Sequence, residues 1–238
     1  MKVMILAAGR GERLRPLTDT CPKPLIHAAS RPLIHQHLHK LKKAGFSDVW
    51  INTDWLGQMI EDNLKKGEQF GLHIHYSHET GLSENGLSIG GGIVQIIEQL
   101  GPDPFLVISA DIVTDFDYAL CRNLADRMQE QGKKAHLILH DNFPFHPEGD
   151  FTLTKNHLIR FVEKNTALPA YTFSGIGIYS PEIFDTLPKK QRIGLIDALK
   201  PYILNHQVSG QYDAGIWINV GTVTELKQAD EFLSVADR

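Results

Sequence analysis

The chain carries only two cysteines in 238 residues, Cys21 and Cys121, far apart and outside any C-x-x-C pair. No disulfide framework can be drawn from them, and reduced thiols in a cytoplasmic protein are the expectation. No apolar run approaches the roughly 18 residues that would suggest a membrane-spanning helix. Met1-Lys2 leads straight into a short apolar strand with no small-residue cleavage site, unlike a signal peptide. Positive charge is not in surplus either: 24 Lys and Arg against 28 Asp and Glu give a net charge of -4, which leaves no broad basic face for nucleic acid. Repeats, low-complexity tracts and long linkers are absent. A Walker A loop is missing, and the third glycine of a dinucleotide fingerprint is replaced by Leu14. What remains is a chain with 42% hydrophobic residues, enough for one sizeable core. It is expected to have no membrane or nucleic-acid partner and to act as a monomer or small homo-oligomer.

What is present is concentrated near the amino terminus. The apolar stretch Val3-Met4-Ile5-Leu6 runs into Ala7-Ala8-Gly9-Arg10-Gly11-Glu12-Arg13-Leu14-Arg15-Pro16, and a short polar turn leads to Cys21-Pro22-Lys23-Pro24. A buried strand that opens into a glycine loop brings bare backbone N–H groups up to a phosphate. Arg10, Arg13, Arg15 and Lys23 face only Glu12 and Asp19 in this segment. Cations gathered on one loop of an acidic chain point to a local polyphosphate site. Twelve histidines are a second feature. His35 with His39, and His73 with His75, have spacings that could hold a metal. Neither pair has an H-E-x-x-H context or a cysteine partner, so both read as surface or packing residues.

Strand-like and helix-like patterns alternate over the first half. Strands are expected at 2–6, 47–52, 72–76, 104–110 and 135–140, and helices at 31–44, 55–66, 89–99 and 117–131. This alternation predicts a Rossmann-like α/β fold: a mixed, mostly parallel sheet with helices on both faces and ligands beyond the carboxyl ends of the strands. The second half reads as short strands at 151–153, 158–161 and 171–179, a helix at 194–205, strands at 208–212 and 216–219, and a closing helix at 223–236. The expected organisation is one domain over 1–238, with a nucleotide-binding part to residue 140 and a small sugar-facing lobe, 141–238, that also completes a metal site.

The run G-x-G-x-R-L-x-P-L-T followed by P-K-P resembles the signature loop of the sugar-1-phosphate nucleotidyltransferases. The resemblance extends through Ile51-Asn52, Trp55-Leu56-Gly57, Gly90-Gly91-Gly92-Ile93, Gly149-Asp150-Phe151, Thr172-Phe173-Ser174-Gly175, Val208-Ser209-Gly210 and Trp217-Ile218-Asn219-Val220-Gly221-Thr222. Within the family, the Gly-Asp-Phe and Phe-Ser-Gly segments point to the N-acetylmuramate-1-phosphate uridylyltransferase branch. The implied reaction joins UTP to a sugar-1-phosphate, releases pyrophosphate and uses Mg²⁺, in the service of peptidoglycan recycling.

The reaction joins two anions, so positioning and charge matter more than a general base. Arg13 suits the β- and γ-phosphates because a planar guanidinium matches phosphate oxygens. Lys23 suits the α-phosphate and the attacking sugar phosphate. The resemblance gives both residues these catalytic roles. It assigns nucleotide contacts to Leu6, Ala7, Ala8, Gly9, Gly11, Glu79, Leu87, Gly90 and Asp111, and sugar contacts to Gly149, Asp150, Glu163, Lys164, Ser174 and Gly175. Asp111, at the end of an apolar strand, is the hard oxygen donor expected to hold Mg²⁺. The second metal position departs from the branch, which usually has Asp where this chain has Asn219; an amide oxygen can still coordinate but brings no charge. The Glu and Thr that usually precede the glycine trio are here Ser88 and Ile89. Other pairs therefore stay open: GTP with mannose-1-phosphate, dTTP with glucose-1-phosphate, CTP with phosphocholine, or a nucleotide-sugar-binding homologue without catalysis.

Overall fold

A computed structural model describes residues 1–82, 86–143, 146–163 and 168–236. Its strands, in chain order, are β1 (Val3–Leu6), β2 (His27–Ala28), β3 (Arg31–Pro32), β4 (Asp48–Thr53), β5 (His73–His78), β6 (Phe105–Ser109), β7 (Ile112–Thr114), β8 (Ala135–His140), β9 (Phe151–Leu153), β10 (Ile159–Phe161), β11 (Ala170–Tyr179), β12 (Val208–Tyr212) and β13 (Trp217–Asn219). The α-helices are α1 (Leu17–Thr20), α2 (Leu33–Lys43), α3 (Gly57–Leu64), α4 (Ser88–Gln95), α5 (Ile97–Leu100), α6 (Leu120–Glu130), α7 (Leu195–Leu204) and α8 (Val223–Ala236). The expected architecture holds: a mixed, mostly parallel central sheet with helices. Among the described residues, no helix is long and apolar enough to cross a membrane.

The residues form two compact units that interleave in sequence. One contains Leu87–Val107 and Leu120–Gly215; the other contains Lys2–Gly86, Ile108–Ala119 and the segment from Ile216 onward. The division at residue 140 expected from the sequence falls at neither unit's boundary.

In the unit that begins at Lys2, β1, β4 and β5 pair in parallel, with Val3 opposite Val49 and Asp48 opposite His73. Val3, Met4 and Ile5 are fully buried, as the continuous apolar run of an interior parallel strand requires. Helix α2 starts after Pro32 rather than at residue 31, because Arg31-Pro32 first pairs with His27-Ala28. It buries Leu33, Ile34, Leu38 and Leu41 on one face and carries Lys40, Lys42 and Lys43 in its last turn, where cations complement the helix dipole. A core of Leu14, Ile26, Ala28, Leu33, Val113, Val220, Ala229 and Leu233 ties the N-terminal loop to the last helix. Helix α8 opens on a capping box: the Glu225 carboxylate accepts from the Gly221 and Thr222 N–H groups at 2.7 and 2.8 Å.

In the other unit, β8 lies between β11, antiparallel, and β12, parallel. Strands β9 and β10 form an antiparallel pair, and β9 also pairs with β11. Phe105, Tyr179 and Phe184 pack ring to ring at 5.9 to 6.1 Å. The helix expected over 89–99 is broken at Ile96, which leaves helical dihedrals at φ -117° and separates α4 from α5.

Candidate functional site

The loop after β1 is built around two glycines with different roles. Gly11 sits at φ +68°, and a Cβ there would lie 2.9 Å from Thr18 Cγ2 and 3.2 Å from Lys23 Cβ. Glycine is therefore required both by the left-handed backbone and by the close return of the chain. The Thr18 hydroxyl donates to the Gly11 carbonyl at 2.9 Å and holds that return in place. At Gly9 a Cβ would have no heavy atom within 4 Å among the described residues beyond its chain neighbours, so its backbone borders open space there. Arg10 lies over the Trp55 ring at 4.3 Å, and the Trp55 indole N–H donates to the Thr18 carbonyl at 2.9 Å. At the end of β1 the Leu6 carbonyl accepts from the Ala110 N–H at 3.0 Å, which brings the residue before Asp111 alongside the start of the loop.

Lys23 is 8% exposed and directs its Nζ into an ion pair with Asp111 Oδ2. Asp111 stands just before the unpredicted short strand β7, which pairs antiparallel with β13 so that Asn219 lies opposite Ile112. The Val220 N–H donates to the Asp111 carbonyl at 2.8 Å. Two residues after Asn219, Gly221 leaves room for Arg13: a Cβ at Gly221 would stand 2.6 Å from Arg13 Nη2. Arg13, Lys23, Asp111 and Asn219, chosen from four stretches of sequence, are thus brought together within one unit.

Asn219 Oδ1 is buried and has no hydrogen-bond partner among the described residues. A buried carbonyl oxygen without a donor is costly, and a hard cation is one group that would satisfy it. Together with the partly exposed Asp111 carboxylate it offers oxygen donors of the kind a hard divalent cation takes. Among the described residues there is no group of three or more His, Cys, Asp and Glu side chains poised for a metal. Two oxygen donors alone would leave most positions of a hard divalent cation open. Of the histidine pairs, His35 and His39 pack edge-on against Phe70, while His73 and His75 are exposed beside Asp48.

Glu79 is 6% exposed and accepts from Asn52 Nδ2 at 2.7 Å, while Asn52 Oδ1 accepts from the Ala7 N–H at 2.7 Å. The Ala7 N–H is therefore spent inside the protein, whereas Ala8 and Gly9 follow it toward the surface. Burial pushes the Glu79 carboxyl up to about 7; the Asn52 hydrogen bond opposes this and the nearby Asp54 adds to it. His37 is fully buried against the Tyr118 hydroxyl at 2.8 Å, and burial lowers its pKa to about 3.

The remaining candidates lie in the other unit. Leu87 is buried, and its carbonyl accepts from Ile193 N–H at 3.0 Å. Gly90 and Gly91 belong to α4; a Cβ at Gly90 would meet the Ile193 carbonyl at 2.8 Å, and one at Gly91 the Gln191 carbonyl at 2.4 Å. These glycines serve a close helix-to-loop contact. Asp150 accepts from the Phe173 N–H at 2.8 Å and from His146 at 3.3 Å. Gly149, at φ +64°, has no room for a Cβ beside Asn142 and Tyr171. Ser174 is buried and Gly175 lies at φ +79°, within the stretch where the β11–β8 register shifts. Glu163 is exposed, and Lys164 lies outside the described residues. The roles of Gly221 and Asn52 were not assigned from the sequence, though a glycine after the Trp-Ile-Asn-Val strand was the available signal for the first.

A family model described as nucleotidyl transferase matches residues 2–235. An N-acetylmuramate alpha-1-phosphate uridylyltransferase of Neisseria meningitidis serogroup B is 46% identical over 229 residues, 96% of each chain. A UTP–glucose-1-phosphate uridylyltransferase of Synechocystis is 30% identical over 96% of this chain, which spans 62% of that protein. Among solved structures, a UDP-glucose pyrophosphorylase complexed with UDP-glucose superposes with a TM-score of 0.75 at 20% identity, over 100% of this chain and 99% of that one. HddC from Yersinia pseudotuberculosis gives 0.78 at 19% identity, over 98% and 99%. At such identities these two structures speak to the fold alone.

Proposed function

Because the chain belongs to the nucleotidyl transferase family, we propose that it transfers UMP from UTP to N-acetylmuramate 1-phosphate, forming the UDP-sugar and releasing pyrophosphate. The observation that supports the catalytic part is the gathering of Arg13, Lys23, Asp111 and the unpartnered Asn219 oxygen in one unit. The choice of substrates rests on likeness to the Neisseria enzyme. On this reading the protein is cytoplasmic and serves the reuse of cell-wall sugar.

In the reaction a sugar-phosphate oxygen forms a bond to the α-phosphorus as the bond to the pyrophosphate oxygen breaks, so no proton need be removed from the nucleophile. Arg13 holds the β- and γ-phosphates with its guanidinium fork. Lys23 keeps one N–H on Asp111 and presents the others to the α-phosphate and the incoming sugar phosphate. Asp111 thereby fixes the direction of the ammonium group before substrate arrives, a preorganised charge at the place where charge develops. The backbone at Gly9 admits the triphosphate where any side chain would stand in the way. Asp111 and Asn219 would hold Mg²⁺, which when bound offsets charge on the phosphates. Leu87 and Gly90 are proposed for the base, and Gly149, Asp150, Glu163, Lys164, Ser174 and Gly175 for the sugar.

Pyrophosphate release with UTP and N-acetylmuramate 1-phosphate tests the reading, measured against GTP with mannose-1-phosphate, dTTP with glucose-1-phosphate and CTP with phosphocholine. The first pair is expected to turn over fastest, and Lys23→Ala to slow it about 10²-fold, the scale of one lost transition-state donor. Faster turnover of another pair would reassign the substrates. Nucleotide binding without pyrophosphate from any pair would leave a binding protein.

A further inference from the structure

Helix α2 turns two polar side chains inward beside its apolar ones. Gln36 is 5% exposed and His37 is fully buried, on a helix that also buries Leu33, Ile34, Leu38 and Leu41. A buried amide costs stability unless its hydrogen bonds are made, so its partner shows what it holds. Gln36 Nε2 donates to the Ile112 carbonyl at 3.0 Å. Ala110 and Asp111 link β6 to β7, so this carbonyl belongs to the residue that follows Asp111. On the other side of Asp111, the Ala110 N–H donates to the Leu6 carbonyl at 3.0 Å, and the Asp111 carbonyl itself accepts from the Val220 N–H at 2.8 Å. Those two contacts are backbone to backbone, whereas the one from Gln36 comes from a side chain and can be removed without altering the main chain. His37 stands behind the same link. Its Nδ1 is 2.8 Å from the Tyr118 hydroxyl, and its ring interacts with the backbone of Ile112 and Ala110.

The same helix is tied to the other half of the ion pair. The Leu33 N–H donates to the Ile26 carbonyl at 3.0 Å, and the Ile26 N–H donates to the Lys23 carbonyl at 3.1 Å. Gln36 follows Leu33 by less than one helical turn. One turn of α2 therefore meets both the segment that carries Lys23 and the link that carries Asp111. From this geometry we propose that Gln36 is a positioning residue: by holding the Ile112 carbonyl it fixes the Asp111 carboxylate against the Lys23 ammonium, and so sets the N–H groups offered to phosphate and the oxygen offered to a divalent cation. The placement of Asp111 stands on the contacts alone, while its effect on turnover rests on the reaction proposed above. Lys40 supplies an internal comparison. Its Nζ donates to the Thr114 carbonyl at 2.7 Å, so it also clamps β7 to α2, but beyond the Asp111 link.

The test compares Gln36→Met, which keeps the length of the side chain and loses its donor, with Lys40→Met. Pyrophosphate release by Gln36→Met is expected to fall about tenfold in kcat, the scale of one lost hydrogen bond, with KM for UTP little changed and more Mg²⁺ needed for half the maximal rate. Lys40→Met should melt earlier but keep the parent's kcat. Gln36→Glu retains the shape and, while its buried carboxyl holds a proton, the donor. Its rate relative to the parent at the same pH should exceed that of Gln36→Met at low pH and fall as pH rises. A second readout needs neither metal nor nucleotide. In the ¹⁵N-labelled chain the Lys23 ammonium, identified by its loss in Lys23→Met, should give a signal slowed in exchange with water in the parent and in Lys40→Met, and a broadened one in Gln36→Met. An unchanged ammonium signal in Gln36→Met, a loss confined to KM, or an equal fall in kcat for Lys40→Met would each overturn the proposal. A parent chain that releases no pyrophosphate from any substrate pair would instead overturn the reaction, and the ammonium signal would then decide the placement of Asp111 by itself.

Discussion

Arg13 has its guanidinium laid against a position where a side chain is missing. The cost of adding one is asymmetric, because the clash at Gly221 would be with the far end of a flexible arginine rather than with backbone. Gly221→Ala is therefore expected to fold with little loss, while displacing the guanidinium and raising KM for the nucleoside triphosphate several-fold; paired thermal melts and NTP titrations check both halves. Glu79 offers a second test. Its carboxyl is raised from 4.5 to about 7, so between those values the folded chain keeps a proton that the unfolded chain releases. The stability it contributes is complete below about pH 4.5 and is lost as pH rises through about 7. Glu79→Gln keeps an acceptor for Asn52 and has no proton to lose. Its stability relative to the parent should be near parity at about pH 5 and higher by on the order of 2 kcal/mol at about pH 8, measured by urea unfolding. The Arg13, Lys23 and Asp111 trio was readable from residue type and neighbours. The Asn52 bridge from Glu79 to Ala7 was not, since a buried amide carries no mark in a sequence.

Among the elements, the glycine trio shows what local pattern leaves open. Three glycines after a loop look like backbone kept bare for a ligand, and Gly90 and Gly91 are helical residues that also have carbonyls of the 191–194 segment against them. Local pattern cannot distinguish a glycine emptied for a substrate from one emptied for a neighbouring chain segment. Gly91→Ala is expected to cost about 1–3 kcal/mol, because the obstacle, at 2.4 Å, is backbone that cannot swing aside; a shift in the urea midpoint at unchanged slope measures it. The long strands and helices were legible from their periodicity. The short β7 and the β2–β3 pair were not, because they follow directly on a longer apolar strand or a proline-rich turn and take their form from the strands they pair with.

Across the whole molecule, the order of elements could be read along the chain but their grouping could not. Pattern suggested two consecutive parts meeting near residue 140, whereas the chain leaves each unit and returns to it. Loop-closure entropy grows only slowly with the length of the excursion, so nothing in composition warns of such returns.

The returns have a consequence during synthesis. Ala29 N–H is held by the Asp230 carboxylate, 201 positions later, and Arg13 is seated by Gly221. A chain emerging from the ribosome therefore carries its arginine loop through roughly 200 further residues before those that seat it exist. The seat for the guanidinium forms only once β13 and the Gly221 turn after it are made, and a chain stopped short of them has the cations without their socket.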